Sequence, residues 1–326
     1  MAEIEQVSLT QFAYILHSIP HLGPTGIRRL LNTVPDGSSR RIDLGSMMFW
    51  NMSEEGLIHE YKLHPNSAMC IANQKDRLLD AGLEIAVSAG KFGIKVMTIL
   101  DPDYPSFFRA SRLDPPPIIY SFGNPALISE RKFAVIGSST VSPSGVETMR
   151  NLAGIMADDG LTTVTSHNTP GYQVVGLAAK SRNAPVVLVL DRGILCAFPN
   201  GMRYEPVAQA RIWDMRFDPS RDLVLSQFRL YDPWIGANGR ERDRMIFDLA
   251  DVLVAVDVRA GGVMEGECTR AHERGREVYV YTSERTPTPA GNANLLEKGC
   301  PPIPSRWARS LLTTLDLPHA EDKPEE

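Results

Sequence analysis

From about Lys95 to Tyr281 short β-rich runs alternate with amphipathic helical stretches, and this alternation restricts the chain to one fold class. The runs predicted as strands are Val96–Leu100, Ile118–Tyr120, Phe133–Ile136, Thr162–Thr165, Val186–Leu190, Leu223–Ser226, Val252–Val256 and Val278–Tyr281. Between them Val146, Met149, Ala153 and Met156 recur at helical spacing on a stretch that Gly160 can end. Met245, Ile246 and Leu249 form a second such stripe, and Met264, Cys268 and Ala271 a third before Gly275. Strands separated by helices build a doubly wound, mostly parallel sheet with helices on both faces, so the class is α/β. In such sheets ligands bind beyond the carboxyl ends of the strands. That rule selects the residues after Ile136, Thr165, Leu190, Ser226 and Val256.

Residues 1–94 read differently, as a small all-helical N-terminal domain. Leu9, Phe12, Ala13 and Leu16 share a helical face, and Ser8-x-x-Gln11 has the form of a capping box. The turn Ile19-Pro-His-Leu-Gly-Pro-Thr-Gly26 then leads to a second apolar set at Ile27, Leu30 and Leu31. Two short helices around such a turn fit a helix-hairpin-helix, whose backbone N–H groups can hold a DNA phosphate. They fit a plain packing hairpin equally well, since only Arg28 and Arg29 add positive charge. Residues 95–300 form the sheet domain, and 301–326 a tail with Trp307, Leu311, Leu312 and Leu315 on a packing helix and a disordered acidic end.

The four cysteines lie far apart with no C-x-x-C pair, which argues against a zinc or redox site and for reduced thiols. No apolar run is long enough to span a bilayer, and the polar start lacks the pattern of a secretion signal. The expected location is the cytoplasm. The net charge is −5, and Glu321, Asp322, Glu325 and Glu326 against Lys323 carry more than half of it. A nearly neutral body neither advertises nor excludes nucleic-acid binding, which depends on local charge.

Three segments carry candidate chemistry. In Phe133-Ala-Val-Ile-Gly-Ser-Ser-Thr-Val-Ser-Pro-Ser-Gly145 a strand runs into a loop of small residues that opens a helix. Unpaired N–H groups and the helix dipole then converge on one point, which suits a phosphate. The loop is neither a Walker A loop nor a G-x-G-x-x-G fingerprint. In Gly239-Arg-Glu-Arg-Asp-Arg244 three arginines open a helix, against the preference of the dipole for acids there. They read either as forked donors to phosphate or as a solvated mixed-charge start. In Gly261-Gly-Val-Met-Glu-Gly-Glu267 two glycines allow close backbone approach, and Glu265 or Glu267 either caps the helix or accepts a bond from a sugar hydroxyl.

Taken with Asp103-Tyr-Pro105 and Asp114-Pro-Pro-Pro-Ile-Ile-Tyr-Ser-Phe-Gly-Asn124, the order of these segments resembles the DNA-processing protein A (DprA/Smf) family from about Pro102 to Cys300. The Asp114–Asn124 stretch is the most specific part. The resemblance implies a Rossmann-like sheet, single-stranded DNA binding, self-association as a homodimer and delivery of the strand to a RecA-type recombinase. Carried onto this sequence, it places phosphate contacts at Gly137, Ser138, Ser139, Ser142, Ser166, Arg242, Arg244, Gly261 and Gly262, with His167 or Tyr172 as base-stacking faces. It implies no cofactor, no metal and no catalytic residue.

The sequence departs from the family pattern where function is expected. Ser139 stands in place of an arginine, Gln173 and Gln227 in place of acids, and Asp243 in place of an asparagine. A lost phosphate contact weakens binding and its salt dependence. A second reading is a nucleotide-binding sensor, or a hydrolase similar to the Lonely-Guy phosphoribohydrolases, because Gly261-Gly262 and Glu267 loosely match their glycine-rich motif. The proline and Gly-Thr pair of that motif are absent. A third is an interaction scaffold whose loops hold no ligand.

Overall fold

The computed structural model describes residues 9–32, 47–111, 114–198, 217–283, 286–304 and 306–310. All eight expected strands are present: β1 (Lys95–Thr98), β2 (Ile118–Gly123), β3 (Lys132–Gly137), β4 (Thr162–Thr165), β5 (Val186–Val189), β6 (Leu223–Ser226), β7 (Val252–Asp257) and β8 (Glu277–Val280). They form one sheet in the order β1-β2-β6-β5-β4-β3-β7-β8. β1 and β2 run antiparallel, while β3 runs parallel to β4 and β7, β4 to β5, and β7 to β8. Every residue of β4, β5 and β6 is buried, as both-face coverage by helices requires. From β3 the chain steps through β4 to β5 on one side, and β7 and β8 lie on the other. The crevice between the ends of β3 and β7 is therefore the switch point where an open α/β sheet offers a site.

Two compact units divide the chain. The first comprises Met1–Phe122, Arg192–Cys196 and Leu225–Pro233, so it extends beyond the expected boundary at residue 94 and takes back two later segments. Its helices are α1 (Leu9–Ser18), α2 (Pro24–Asn32), α3 (Met47–Trp50), α4 (Glu54–Tyr61), α5 (Pro65–Asn73), α6 (Lys75–Lys91) and α7 (Ser106–Ser111). Phe12, Phe49, Trp50 and Tyr61 meet edge to face in its core. Ser53 caps α4 through the Gly56 N–H, and His64 with Pro65 starts α5.

The hairpin turn between α1 and α2 is packed from within. Arg229 donates to the carbonyls of Ile19 and Leu22 at 3.0 and 3.1 Å. Arg28 donates to Pro115 O at 3.2 Å, and Arg29 to Lys62 O. The two arginines expected to add charge for DNA are thus spent on backbone carbonyls, which favours the packing-hairpin reading.

The Asp114–Asn124 stretch also serves packing. Pro115, Pro116 and Pro117 are buried, and the Tyr104 hydroxyl donates to Pro116 O at 2.7 Å. Gly123 has φ +109°, and a Cβ there would lie 2.2 Å from Asp222 O, so only glycine fits. Asn124 then caps a 3-10 turn (Pro125–Ile128) through the Ala126 N–H.

The second unit comprises Gly123–Asp191, Ala197–Val224 and Trp234–Glu326. Its helices are α8 (Pro143–Asp158), α9 (Pro170–Ser181), α11 (Asn238–Leu249), α12 (Val263–Glu273) and α13 (Ala290–Glu297); the short α10 (Ile194–Ala197), between α9 and β6, falls almost wholly in the first unit. Phe133, Val135, Met149, Leu152, Met156, Val175 and Val254 share its core. The segment assigned to the tail contributes to this unit: Ile303 and Trp307 pack against the same core, and Trp307 Nε1 donates to Asp159 at 2.7 Å. Leu311, Leu312, Leu315 and the acidic end lie outside the described residues. Among the described residues no helix is long and apolar enough to cross a membrane.

His17 couples the first unit to pH. It is buried, with Nδ1 2.7 Å from the Tyr120 hydroxyl. Burial, reinforced by the Arg229 charge, lowers its pKa to about 3 from the ordinary 6.5. The folded state then binds fewer protons than the unfolded chain between these values, so stability is full above pH 6.5 and falls as the pH drops. The expected loss is about 2 kcal/mol from pH 6.5 to 5. Urea unfolding of the parent and of His17→Gln at both pH values checks this: the variant should lose less stability over the interval. Equal losses would refute the assignment.

Candidate nucleic-acid interface

At the carboxyl edge of the sheet the glycine-serine loop after β3 opens α8, as its sequence demands. Ser142 is the N-cap, its Oγ accepting from Gly145 N–H at 3.1 Å, and Pro143 takes the first helical position. The loop's donors, however, already have an acceptor. Ser142 N–H and Oγ–H donate to Asp257 Oδ2 at 2.8 and 2.7 Å. Ser138 N–H donates to Asp257 O at 2.8 Å, and Ser138 Oγ accepts from Arg259 N–H at 2.8 Å. A carboxylate at the end of β7 thus occupies the position expected for a phosphate. Ser139 is exposed.

The loop after β4 holds a buried ionic joint. Arg242, the fifth residue of α11, is only 4% exposed. Its Nε donates to Asp243 Oδ1 at 2.7 Å, and its Nη1 to Ser166 Oγ at 3.2 Å and to Asn168 Oδ1. Nη1 also lies 3.9 Å from Asp191 Oδ2, and the guanidinium sits 4.9 Å from the Tyr172 ring centroid. The Tyr172 hydroxyl donates to Asp243 Oδ1 at 2.8 Å. Asn168 Nδ2 donates to Asp191 Oδ2 at 2.8 Å, and Asn238 Nδ2 to Asp191 O at 2.9 Å. His167 Nε2 lies 3.8 Å from Asp191 Oδ1.

Burial pushes the Asp243 carboxyl above its ordinary range, with Arg242 opposing. For Arg242 burial works against the charge, but Tyr172, Asp243 and Asp191 outweigh it and hold the guanidinium protonated. Burial and then Asp243 raise the Tyr172 phenol far above its usual value.

The third loop is capped from within. Gly261 takes φ +69°, where other residues are strained, and its N–H donates to Glu265 Oε2 at 2.7 Å. Lys298 donates to Glu265 Oε1 at 2.8 Å. That lysine first, then the Gly261 N–H, lowers the Glu265 pKa. Gly262 is the N-cap residue of α12. Glu267 lies 3.7 Å from Arg244 Nε and pairs with Arg270. Glu265 is engaged locally, tying the Gly261 N–H ahead of α12 back to the first turn of that helix.

The expected site residues therefore fall into separate clusters. Ser166, His167, Tyr172 and Arg242 come together; Ser138 and Ser142 gather around Asp257; Gly261 answers to Glu265. Burial corrects three roles: Arg242 is closed to a phosphate, and His167 and Tyr172, 3% and 4% exposed, have no open ring face for a base. Arg244 stays partly exposed, paired with Glu241 at 2.7 Å.

The open cations are elsewhere. Arg240, on the first turn of α11, and Arg259, after β7, are exposed, and neither guanidinium has an ion pair or hydrogen bond to a described residue. Trp234, 53% exposed, and Ile235 stand in the loop that leads into α11. The sequence pattern did not single out Asp257, Asp191 or Trp234. The signal was present for Asp257, which follows the last apolar residue of a predicted strand at the carboxyl edge.

A wound, mostly parallel α/β sheet with helices on both faces defines the Rossmann-like class of fold. The chain belongs to the family of DNA recombination-mediator protein A, whose sequence profile matches residues 95–308. The structure is similar to DNA processing protein A from Streptococcus pneumoniae, with 18% identity and a TM-score of 0.62 over 94% of this chain and 98% of that one. It is similar also to DNA processing protein A from Helicobacter pylori, with 18% identity and a TM-score of 0.53 over 69% of this chain and 96% of that one. The description of that second structure concerns a single-stranded DNA binding mode. No curated protein sequence matches.

Removing the Arg242 guanidinium leaves Asp243 and Asp191 buried without their shared cation. Arg242→Ala should cost about 3–5 kcal/mol of stability, measured by urea unfolding. A loss below about 1 kcal/mol would show that the joint is not structural.

Proposed function

We propose that the chain binds single-stranded DNA along the carboxyl edge of its sheet and, as a DNA-processing protein, passes the strand to a recombinase of the RecA type. Its family and the single-stranded DNA binding described for the Helicobacter pylori protein support the ligand class. The carrying observation is the pair of exposed guanidinium groups of Arg240, at the start of α11, and Arg259, after β7, which have no partner among the described residues. Arg244 adds partial charge, Ser139 an exposed hydroxyl, and Trp234 the ring face that His167 and Tyr172 lack. Phosphates pass outside Ser142, where Asp257 already takes the donors. We read the chain as a binding protein rather than an enzyme, because the acids and bases of the edge are committed to one another. Self-association as a homodimer follows from the family resemblance and belongs to the same proposal. The Asp257 contact also counts against a nucleotide phosphate held at this loop, and so against the nucleotide-sensor reading.

Titration of a fluorescent single-stranded oligonucleotide at several salt concentrations tests the reading. Each lost phosphate contact reduces the salt slope by about 0.7, so Arg240→Ala with Arg259→Ala should flatten it by about 1.4. Trp234→Ala should weaken binding about tenfold with little change in slope, as loss of one stacked base does. Parent-like titrations for all three substitutions would overturn this placement of the site, and absence of binding by the parent would overturn the ligand class.

A further inference from the structure

The family resemblance assigns Ser138 to a phosphate, but its hydroxyl oxygen is engaged inside the chain. Ser138 Oγ accepts the Arg259 N–H at 2.8 Å, and the Ser138 N–H donates to Asp257 O at 2.8 Å. The loop after β3 is thereby tied to the chain after β7 on both sides of Val258. That residue is fully buried, and its own backbone is held from another direction. Its N–H donates to Asn292 Oδ1 at 3.0 Å, and its carbonyl accepts the Gly291 N–H at 3.0 Å. Asn292 is buried as well and is fixed in turn, donating through Nδ2 to Val256 O and Tyr281 O, both at 2.9 Å. The Arg259 carbonyl accepts the Gly262 N–H at 3.1 Å.

Every backbone N–H and C=O of Val258 and Arg259 therefore has a partner, drawn from the β3 loop, the start of α13 and the turn into α12. This order contrasts with the side chain that it carries. Arg259 is exposed, and its guanidinium has no partner among the described residues. A surface loop ordinarily leaves such a backbone to be ordered only when a ligand arrives, and that ordering opposes binding. Here the root of the side chain is fixed in advance while the charged end stays free. Of the ties on Arg259 itself, the one at Ser138 is made by a side chain. Ser138 is half-buried, so its hydroxyl can be removed without opening the core.

We propose that Ser138 is a positioning residue of the DNA edge: its hydroxyl oxygen fixes the backbone of Arg259 so that the guanidinium meets a phosphate already oriented, and Ser138 makes no phosphate contact of its own. The inference rests on the single-stranded DNA reading and on the place that reading gives to Arg259.

A double-substitution cycle on the full chain tests it, with a fluorescent oligothymidylate titrated at one salt concentration. Ser138→Ala should weaken binding about fivefold, the effect of leaving one residue's backbone to be ordered on association. Ser138→Thr keeps a hydroxyl acceptor and should bind like the parent. In the Arg259→Ala background Ser138→Ala should change affinity by less than about twofold, because the side chain that it positions is gone. A loss that persists in that background would mean that Ser138 meets the phosphate itself or props the loop as a whole. That result would overturn the inference and leave the DNA reading intact. Parent-like binding by Ser138→Ala where Arg259→Ala is weakened, or a loss in Ser138→Thr equal to that in Ser138→Ala, would do the same. A parent that binds no strand would bring down the DNA reading, and an Arg259→Ala variant that binds like the parent its placement of the site; the inference falls with either.

Discussion

The rest of the carboxyl edge depends on one buried cation. A guanidinium removed from water is tolerated only when carboxylates and hydrogen-bond acceptors surround it. Arg242 meets that condition with Asp243, Asp191, Asn168 and Ser166, and with the ring of Tyr172 beneath it. These partners come from α11 and from the loops after β4 and β5, so one charge cluster holds three segments that are far apart in sequence. Its cost is desolvation, which raises the Asp243 pKa, and its gain is a fixed geometry at the sheet edge.

The same logic recurs on the neighbouring loops. On two loops whose backbone N–H groups suit a phosphate, a side-chain carboxylate accepts them: Asp257 at Ser142, Glu265 at Gly261. A carboxylate and a phosphate ask for the same donors. Internal acids therefore stabilise the loops, and in the proposed reading the ligand is anchored further out, by side chains such as Arg240, Arg259 and Trp234. In the arginine-rich helix start, the Asp243 carboxylate binds Arg242 and Tyr172.

Much of the fold was legible beforehand, for a physical reason. Strand and helix patterns record burial, and burial follows from local periodicity: Met149, Ala153 and Met156 on α8, and Met245, Ile246 and Leu249 on α11, are all buried as their spacing requires. The Asp114–Asn124 stretch was legible as a resemblance but not as a mechanism, because its demand for glycine at 123 comes from the Asp222 carbonyl, about a hundred residues on. The unit boundary was less legible. Leu225–Pro233 joins the first unit through contacts such as Arg229 to the α1–α2 turn, which no local pattern encodes.

By itself the sequence determined the order of strands and helices, the edge of the sheet on which loops converge, and the residue types gathered there. Tertiary structure alone decided which of those residues face water. Arg240 and Arg242 are two positions apart on one helix, about 200° around its axis. One points to solvent and the other into the ionic joint, and the choice rests on where β4, β5 and their loops place Ser166, Asn168 and Asp191. Charge type is written in the chain, but desolvation is a property of the neighbours that folding supplies.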